Sequence, residues 1–148
     1  MTQDNSDKQC MLLFLHIGKL INDRMRASLG RIGIHFGQAR ILVALLYHEK
    51  LNQGALSNGL HIKPPTVTNL VKKMEAAGLV ARRRDANDDR IINITLTSQG
   101  KKAANFAVNV MDQIEADIRD QLTQRELEMI ETPLIKVRNI LGGDEPTI

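Results

Sequence analysis

The chain has 148 residues, of which 43% are hydrophobic and 25% charged, so it is long enough for one globular domain with a sizeable core. A formal net charge of +3 does not by itself indicate a polyanionic partner, and the single cysteine excludes intrachain disulfides. Only 3% of the residues are aromatic and none is tryptophan, which argues against binding single-stranded nucleic acid or RNA through stacked bases. A polar, acidic start and the lack of an apolar run of about 20 residues predict a cytoplasmic protein with no secretory signal and no membrane partner.

The first predicted element is a helix from Lys8 to about Leu29 that is apolar on nearly every side at its start. Its apolar residues there are Met11, Leu12, Phe14, Leu15, Ile17, Leu20 and Ile21. One core face does not need so many, so we expect this helix to be buried on several sides, with a second subunit as the other partner. A central helix within one domain is the alternative. A core helix from Gln38 to Tyr47 follows.

Two short helices joined by a tight turn come next. Asn52 is a good N-cap for the first of them, and Pro64 and Pro65 suit the opening positions of the second. His61 occupies the turn, where a glycine would be expected, so the turn is strained but allowed. This pattern predicts a helix-turn-helix, whose second helix enters the major groove of DNA.

The second of these helices has two distinct faces. Its apolar stripe consists of Val67, Leu70, Val71 and Met74, and its polar face consists of Thr66, Asn69, Lys72 and Lys73 with Thr68 on a flank. Hydroxyls and amides can bond base edges, and ammonium groups can pair with phosphates. An ordinary solvated helix face is the alternative interpretation.

A change to period two after Gly78 predicts a β-hairpin, or wing, with strands over Leu79–Arg84 and Ile91–Leu96. Its basic residues are Arg82, Arg83, Arg84 and Arg90. An arginine at a hairpin tip could enter a narrow minor groove, and Asp88 is close enough in sequence to brace Arg90. Residues 37–97 carry nine Lys and Arg against five Asp and Glu, whereas the rest of the chain carries eleven against twelve, so the positive charge is concentrated here.

Two amphipathic helices complete the chain. Ser98 can cap the first, which is predicted from Gln99 to about Gln121. A capping box at Thr123–Glu126 opens the second, in which Pro133 is expected to cause a kink or a new start. Both helices carry more apolar surface than a small winged helix can cover. Together with the first helix, they are best interpreted as a dimerisation layer.

The stretch from Gly37 to Lys101 resembles the MarR family of dimeric winged-helix transcription regulators. The most specific features are the D-x-R wing signature at 88–90 and the LT…G pattern formed by Leu96, Thr97 and Gly100. The resemblance implies a mainly α fold, an α+β winged helix-turn-helix with about six helices and a wing of two or three strands. It divides the chain into a dimerisation helix (1–36), a DNA-binding lobe (37–97) and C-terminal dimerisation helices (98–148).

The residues and the resemblance together predict a homodimeric, sequence-specific regulator of transcription, a repressor rather than an activator, with no cofactor and no enzymatic activity. The predicted DNA-binding residues are Lys63, Pro65, Thr66, Thr68, Asn69, Lys72, Lys73, Arg82, Arg84, Asp88 and Arg90. Its partner would be double-stranded DNA with a pseudo-palindromic operator, whose half-sites lie about 34–36 Å apart. Similar proteins release DNA on binding small aromatic or anionic effectors, but the sequence does not locate that site.

The sequence leaves two alternative functions open and argues against both a metal centre and an enzyme. Some members of the family sense peroxides through a cysteine near the start of the first helix, where Cys10 lies. A buried, inert cysteine is the ordinary interpretation. A winged helix that binds an acidic protein is the other alternative. The four histidines are scattered without the spacing of a metal site, and no catalytic motif is present, so neither a metal centre nor an enzyme is expected.

Overall fold

The computed structural model describes residues 9–145, which form six helices and a small antiparallel sheet. The helices are α1 (Gln9–Leu29), α2 (Phe36–His48), α3 (Gln53–Leu60), α4 (Pro64–Ala76), α5 (Ser98–Arg119) and α6 (Gln124–Ile140), with a 3-10 turn at Gly30–Ile32. The strands are β1 (Lys50–Asn52), β2 (Val80–Arg84) and β3 (Ile92–Leu96), in the order β1-β3-β2. The predicted fold class, a mainly α winged helix-turn-helix, is confirmed.

The core lies where α2 packs against the helix-turn-helix, the sheet and α5. The largest fully buried side chains are Leu29, Ile41, Leu42, Leu45, Val67, Val71, Met74, Leu56 and Ile94. Three of them belong to the predicted apolar stripe of α4, and the fourth member, Leu70, is half-buried against the core. The orientation of that helix is thus confirmed. Because this face is held in the core, the opposite face of α4 must point to solvent.

The turn between α3 and α4 has the predicted strained geometry. Asn52 caps α3, since its side-chain oxygen accepts the N–H of Ala55 at 2.8 Å. His61 adopts the left-handed conformation with φ 52° and ψ 44°. Behind it, the Ile62 N–H donates to the Ser57 carbonyl at 3.0 Å, and the Ser57 hydroxyl donates to the Ile62 carbonyl at 2.6 Å. These reciprocal bonds fix the direction in which α4 leaves the turn.

We expect His61→Gly to stabilise the protein by about 0.5–1 kcal/mol, because glycine removes the left-handed strain at some cost in unfolded-state entropy. Urea unfolding at one fixed protein concentration measures the change. Asn58→Gly is the matched control: Asn58 is exposed within the right-handed helix α3, so glycine there should destabilise. A loss of stability in both variants would contradict the strain argument.

Two helix starts differ from the sequence prediction. The cap of α5 is Thr97 rather than Ser98, because the backbone is still extended at Thr97 and its hydroxyl accepts the N–H three residues on at 3.0 Å. The core helix α2 begins at Phe36 rather than Gln38, because His35 and Gln38 form a reciprocal capping box. Both shifts come from which side chain accepts the first free N–H groups.

The last helix keeps its predicted start and continues through its proline. Thr123 and Glu126 form the predicted capping box, with the Thr123 N–H donating to the Glu126 carboxylate at 2.8 Å. The range of α6 includes Pro133 without interruption, so the predicted new start does not occur.

The helices α1 and α6 carry uncovered apolar surface, as the sequence predicts. The same prediction for α5 is wrong, because most of its apolar face packs against the core. Only Met25 and Leu29 of α1 are buried, and no residue of α6 is. The exposed side chains include Met11, Leu12, Leu13, Phe14, Leu15, Ile17, Leu20 and Ile21 on α1 and Met129, Ile130, Leu134, Ile135 and Ile140 on α6. No single helix between residues 9 and 145 is long and apolar enough to cross a bilayer; only α1 with its 3-10 turn and α2, bent by 75° at their junction, reach that length and composition as a pair.

Candidate nucleic-acid interface

The outward face of α4 presents polar and cationic groups to solvent. Thr66, Asn69, Lys72 and Lys73 are exposed, and so are Lys63 and Pro65 at the start of the helix. The only carboxylate on α4 is Glu75. An exposed helix face with hydroxyl, amide and ammonium groups matches what base edges and phosphates require.

Thr68 differs from its predicted neighbours, because it is half-buried on the flank that faces α3. Its hydroxyl oxygen lies 3.0 Å from the carbonyl oxygen of Pro64 and 3.4 Å from the side-chain oxygen of Gln53. The hydroxyl is therefore engaged within the helix-turn-helix in the free protein.

Arg90 lies at the tip of the wing with 95% of its side chain exposed. The Asp88 carboxylate accepts the backbone N–H of Arg90 at 3.0 Å and lies 3.8 Å from its Nε. The Asp88 carbonyl also accepts the N–H of Ile91 at 2.9 Å. Because an exposed ion pair at this distance contributes little, the main effect of Asp88 is to shape the turn that presents Arg90.

Arg82 and Arg84 have different environments, although both were predicted to contact phosphates. The Arg82 Nε lies 3.2 Å from the carboxylate of Glu75, and its side chain is only 27% exposed. This pair joins β2 of the wing to the last turn of α4. Arg84 lies two residues further along β2 and is exposed. Arg84 is therefore free to meet solvent or DNA, whereas Arg82 is directed into the protein.

The base of the wing is held by one carboxylate. Asp85 accepts the backbone N–H of Asn87 at 3.0 Å and the side-chain N–H of Asn93 at 2.7 Å, and it lies 3.4 Å from the Lys50 ammonium group. These contacts, led by the Asn87 hydrogen bond, lower the pKa of Asp85 below its ordinary value. The carboxylate thus links all three strands at the wing.

The remaining candidate residues lie away from this surface. Cys10 is exposed in the first turn of α1. Between residues 9 and 145, no three histidine, cysteine, aspartate or glutamate side chains are grouped as metal ligands would be.

The lobe just described is matched by known proteins. The model of the MarR family matches residues 32–91, which contain α4 and the wing tip. The HTH-type transcriptional regulator SarZ of Staphylococcus aureus (strain USA300) is 30% identical over 117 residues, which cover 76% of this chain and 79% of that protein. The chain belongs to the MarR family. It is therefore a DNA-binding regulator of transcription and not an enzyme.

Two further relatives extend the MarR-family match. The organic hydroperoxide resistance transcriptional regulator of Bacillus subtilis is 29% identical over 101 residues, 68% of each chain. Among solved structures, the S. aureus MepR–DNA complex superposes with a TM-score of 0.80 at 29% identity, covering 88% of this chain and 96% of that one. The winged-helix fold of this MarR-family chain thus extends from α1 to α6.

Sequence reasoning missed three residues that position this MarR-family interface: Glu75, Lys50 and Asn93. Glu75 pairs with Arg82 across two elements, and the only signal in the sequence is an acidic residue in the last turn of a helix beside an arginine-rich strand. Lys50 and Asn93 meet Asp85 because β1 pairs with β3. A prediction for Lys50 or Asn93 would have needed that strand register, which a strand of three residues does not reveal.

We expect Asp85→Asn to destabilise the protein at neutral pH, because an amide replaces the charged acceptor of the wing network. Since the folded-state pKa of Asp85 is lowered, its stabilisation is present above the ordinary aspartate pKa of about 3.9 and is lost as the pH falls through the lower folded-state value. Urea unfolding of the two proteins should therefore differ at pH 7 and converge in acid.

Asp112→Asn is the control for this pH series, since Asp112 is exposed on α5, outside the wing. It should leave the free energy of unfolding unchanged across the series. A difference between wild type and Asp85→Asn that stayed constant at every pH would contradict the assigned role of the charge.

Proposed function

We propose that this MarR-family chain acts in the cytoplasm as a homodimeric repressor that binds a pseudo-palindromic operator and is released from it by a small effector. The main support for this proposal is the outward face of α4. Four polar or cationic side chains are exposed there, and the single carboxylate of the helix, Glu75, pairs with Arg82. Arg82 neutralises the one group on α4 that would repel DNA.

The proposed contacts divide between bases and backbone. Thr66 and Asn69 would meet base edges in the major groove, and Thr68 would join them if its hydroxyl turned away from α3. Phosphate contacts would come from Lys63, Lys72, Lys73 and Arg84, with Pro65 fixing the start of α4. Arg90 would enter the adjacent minor groove from the turn that Asp88 shapes. The partly buried Arg82 would act indirectly, by holding the wing against α4.

The homodimer is supported by the apolar side chains on α1 and α6. Soluble monomers rarely expose contiguous apolar patches of this kind, and covering such a face usually requires another chain. A two-fold dimer would use the same faces on both copies and place the two α4 helices in successive turns of the major groove. We propose that residues 37–97 read DNA and that the flanking segments form the dimer.

An effector site is supported by a cavity of about 620 Å³ between α1 and the start of α2. It is lined by Lys19, Asn22, Asp23, Arg26, His35 and Phe36. Lys19 pairs with Asp23 in this cavity, so Arg26 is the remaining cation beside the phenylalanine, and this arrangement suits an aromatic anion. Such a ligand would lower DNA affinity only by as much as it prefers the conformation that does not fit DNA.

The test combines selection of duplexes from a random pool with sedimentation of the protein alone and bound. We expect a dimer that enriches two inverted half-sites separated by about one helical turn. A monomer that binds selected and random duplexes equally would overturn the proposal. That result would favour the alternative, a winged helix that meets an acidic protein.

Redox sensing is a second candidate, favoured by the exposure of Cys10 in the first turn of α1 and by the name of the B. subtilis relative. A solvent-accessible thiol can react with peroxide, whereas a buried one is inert. Operator binding before and after mild peroxide should then decline in the wild type and persist in Cys10→Ser. Equal sensitivity of the two proteins would rule Cys10 out.

A further inference from the structure

The turn that follows α4 is joined to the start of α5 by hydrogen bonds and by a close backbone contact. After α4, the chain turns at Gly78, which has a φ of +73°. The Thr97 hydroxyl donates to the carbonyl of Gly78 at 2.6 Å, and the Thr97 N–H donates to the carbonyl of Leu79 at 3.1 Å. The residue that caps α5 is therefore bonded to Gly78 and Leu79, which lie in the turn between α4 and β2.

Gly100 makes this joint tighter than any side chain would allow. A Cβ at Gly100 would lie 2.9 Å from the carbonyl carbon of Leu79 and would overlap its oxygen. The Gly100 N–H donates to the Thr97 hydroxyl at 3.0 Å. The Thr97 hydroxyl thus accepts from the first turn of α5 and donates to the turn that follows α4. No flexible side chain separates the two backbones at Gly100.

The rest of α5 packs against both α2 and α1. Asp117, near its far end, pairs with Arg24 of α1 and accepts a hydrogen bond from Gln113 at 2.9 Å. One end of α5 is thus bonded to the turn that follows α4, and the other end is paired with α1, the helix whose apolar face is uncovered. The contacts of α5 therefore connect the turn after α4, at one end, with α1 at the other.

We propose that Thr97 and Gly100 are positioning residues that fix the angle between α4 and α5, and so set the distance between half-sites that the dimer accepts. The inference rests on the proposed function, because a half-site distance exists only for a dimer that reads two of them. Neither residue needs to touch DNA. Their effect is on which operators are accepted, because a stiff joint penalises every spacing but one.

The experiment measures affinity for three duplexes that carry the half-sites selected by the wild type. One has the selected spacing, and the others are longer or shorter by one base pair. The variants are Thr97→Val, which removes the bridging hydroxyl without adding volume, and Thr97→Ser, which keeps it. Thr123→Val is the matched control, since Thr123 caps α6 through the same hydroxyl bond and lies outside the joint.

We expect the wild type to prefer the selected spacing and Thr97→Val to reduce that preference. The reduction should be about fivefold, the change in an equilibrium constant that the loss of one ordinary hydrogen bond produces. Thr97→Ser and Thr123→Val should keep the wild-type ratio, although the latter also loses a helix cap. This ratio separates positioning from stability, because a merely destabilised protein binds all three duplexes more weakly by one common factor.

Two results would count against the inference in different ways. If Thr97→Val binds with the wild-type ratio while the wild type discriminates between spacings, the positioning role is wrong and the proposed function stands. If the wild type enriches no paired half-sites at all, the proposed function fails and the inference fails with it. Gly100→Ala extends the series if it folds, and the Thr97 pair decides the question if it does not.

Discussion

Replacing Arg90 with alanine is expected to weaken operator binding by about 1–3 kcal/mol, the ordinary contribution of one specific arginine contact. The Arg90 side chain is 95% exposed at the wing tip. Asp88 shapes the turn through the backbone N–H of Arg90, so loss of the Arg90 side chain should leave the fold intact. Fluorescence anisotropy with the selected operator and with random duplex, at one fixed salt concentration, measures the loss. The loss should be larger for the operator, because the width of the minor groove depends on sequence.

Two further variants make the Arg90 result specific. Lys72→Ala should weaken binding to operator and random duplex alike and reduce the salt dependence by about one phosphate contact. Arg125→Ala removes an exposed arginine from α6, outside the lobe, and should change neither affinity. If Arg90→Ala bound the operator as tightly as the wild type, the wing would not be part of the interface.

Replacing Gly100 with alanine is expected to destabilise the protein by more than about 1–3 kcal/mol, the usual cost of overpacking a side chain in a core. The cost is higher here because the new methyl group would overlap a backbone carbonyl, that of Leu79, which cannot rotate away. The joint between α4 and α5 would have to open. Urea unfolding at a fixed protein concentration measures the change in the free energy of unfolding.

Gly30→Ala is the matched control for Gly100→Ala. Gly30 lies in the 3-10 turn after α1, and a Cβ there would meet no atom within 4 Å. Alanine at Gly30 should be neutral or slightly stabilising, because it restricts the unfolded chain. Equal stability of the two variants would show that the Gly100 contact relaxes without cost and would remove the basis for a stiff joint.

The faces of α4 could be predicted from the sequence because apolar spacing alone decides which side of a helix is buried. Val67, Val71 and Met74 are each fully buried, so the exposure of Lys72 and Lys73 follows. The turn at His61 was predictable for a similar reason, since residue types near a turn restrict its backbone. Local patterns therefore yielded the surface of the candidate site.

Contacts between distant segments could not be predicted in this way. Arg82 and Arg84 look equivalent in sequence. Only the position of Glu75 in space shows that Arg82 forms an ion pair with α4 whereas Arg84 is exposed. Thr97 and Ser98 are adjacent hydroxyl residues, and the choice of cap depends on where the backbone changes from extended to helical. Strand β1 spans three residues, too few for an alternating pattern, so its pairing with β3 and the wing network of Asp85 were not visible.

Because no residue of α6 is buried, the folding of this helix would depend on the concentration of the protein. Most of the stability of a helix in a protein comes from packing of its apolar face, so α6 would depend on association for much of its order. In the proposed homodimer, folding of this helix and pairing of two chains would be one equilibrium, which dilution would shift toward disordered ends. The number of copies in the cell would thus determine how much of each molecule is folded, and a scarce regulator would be lost first to proteases.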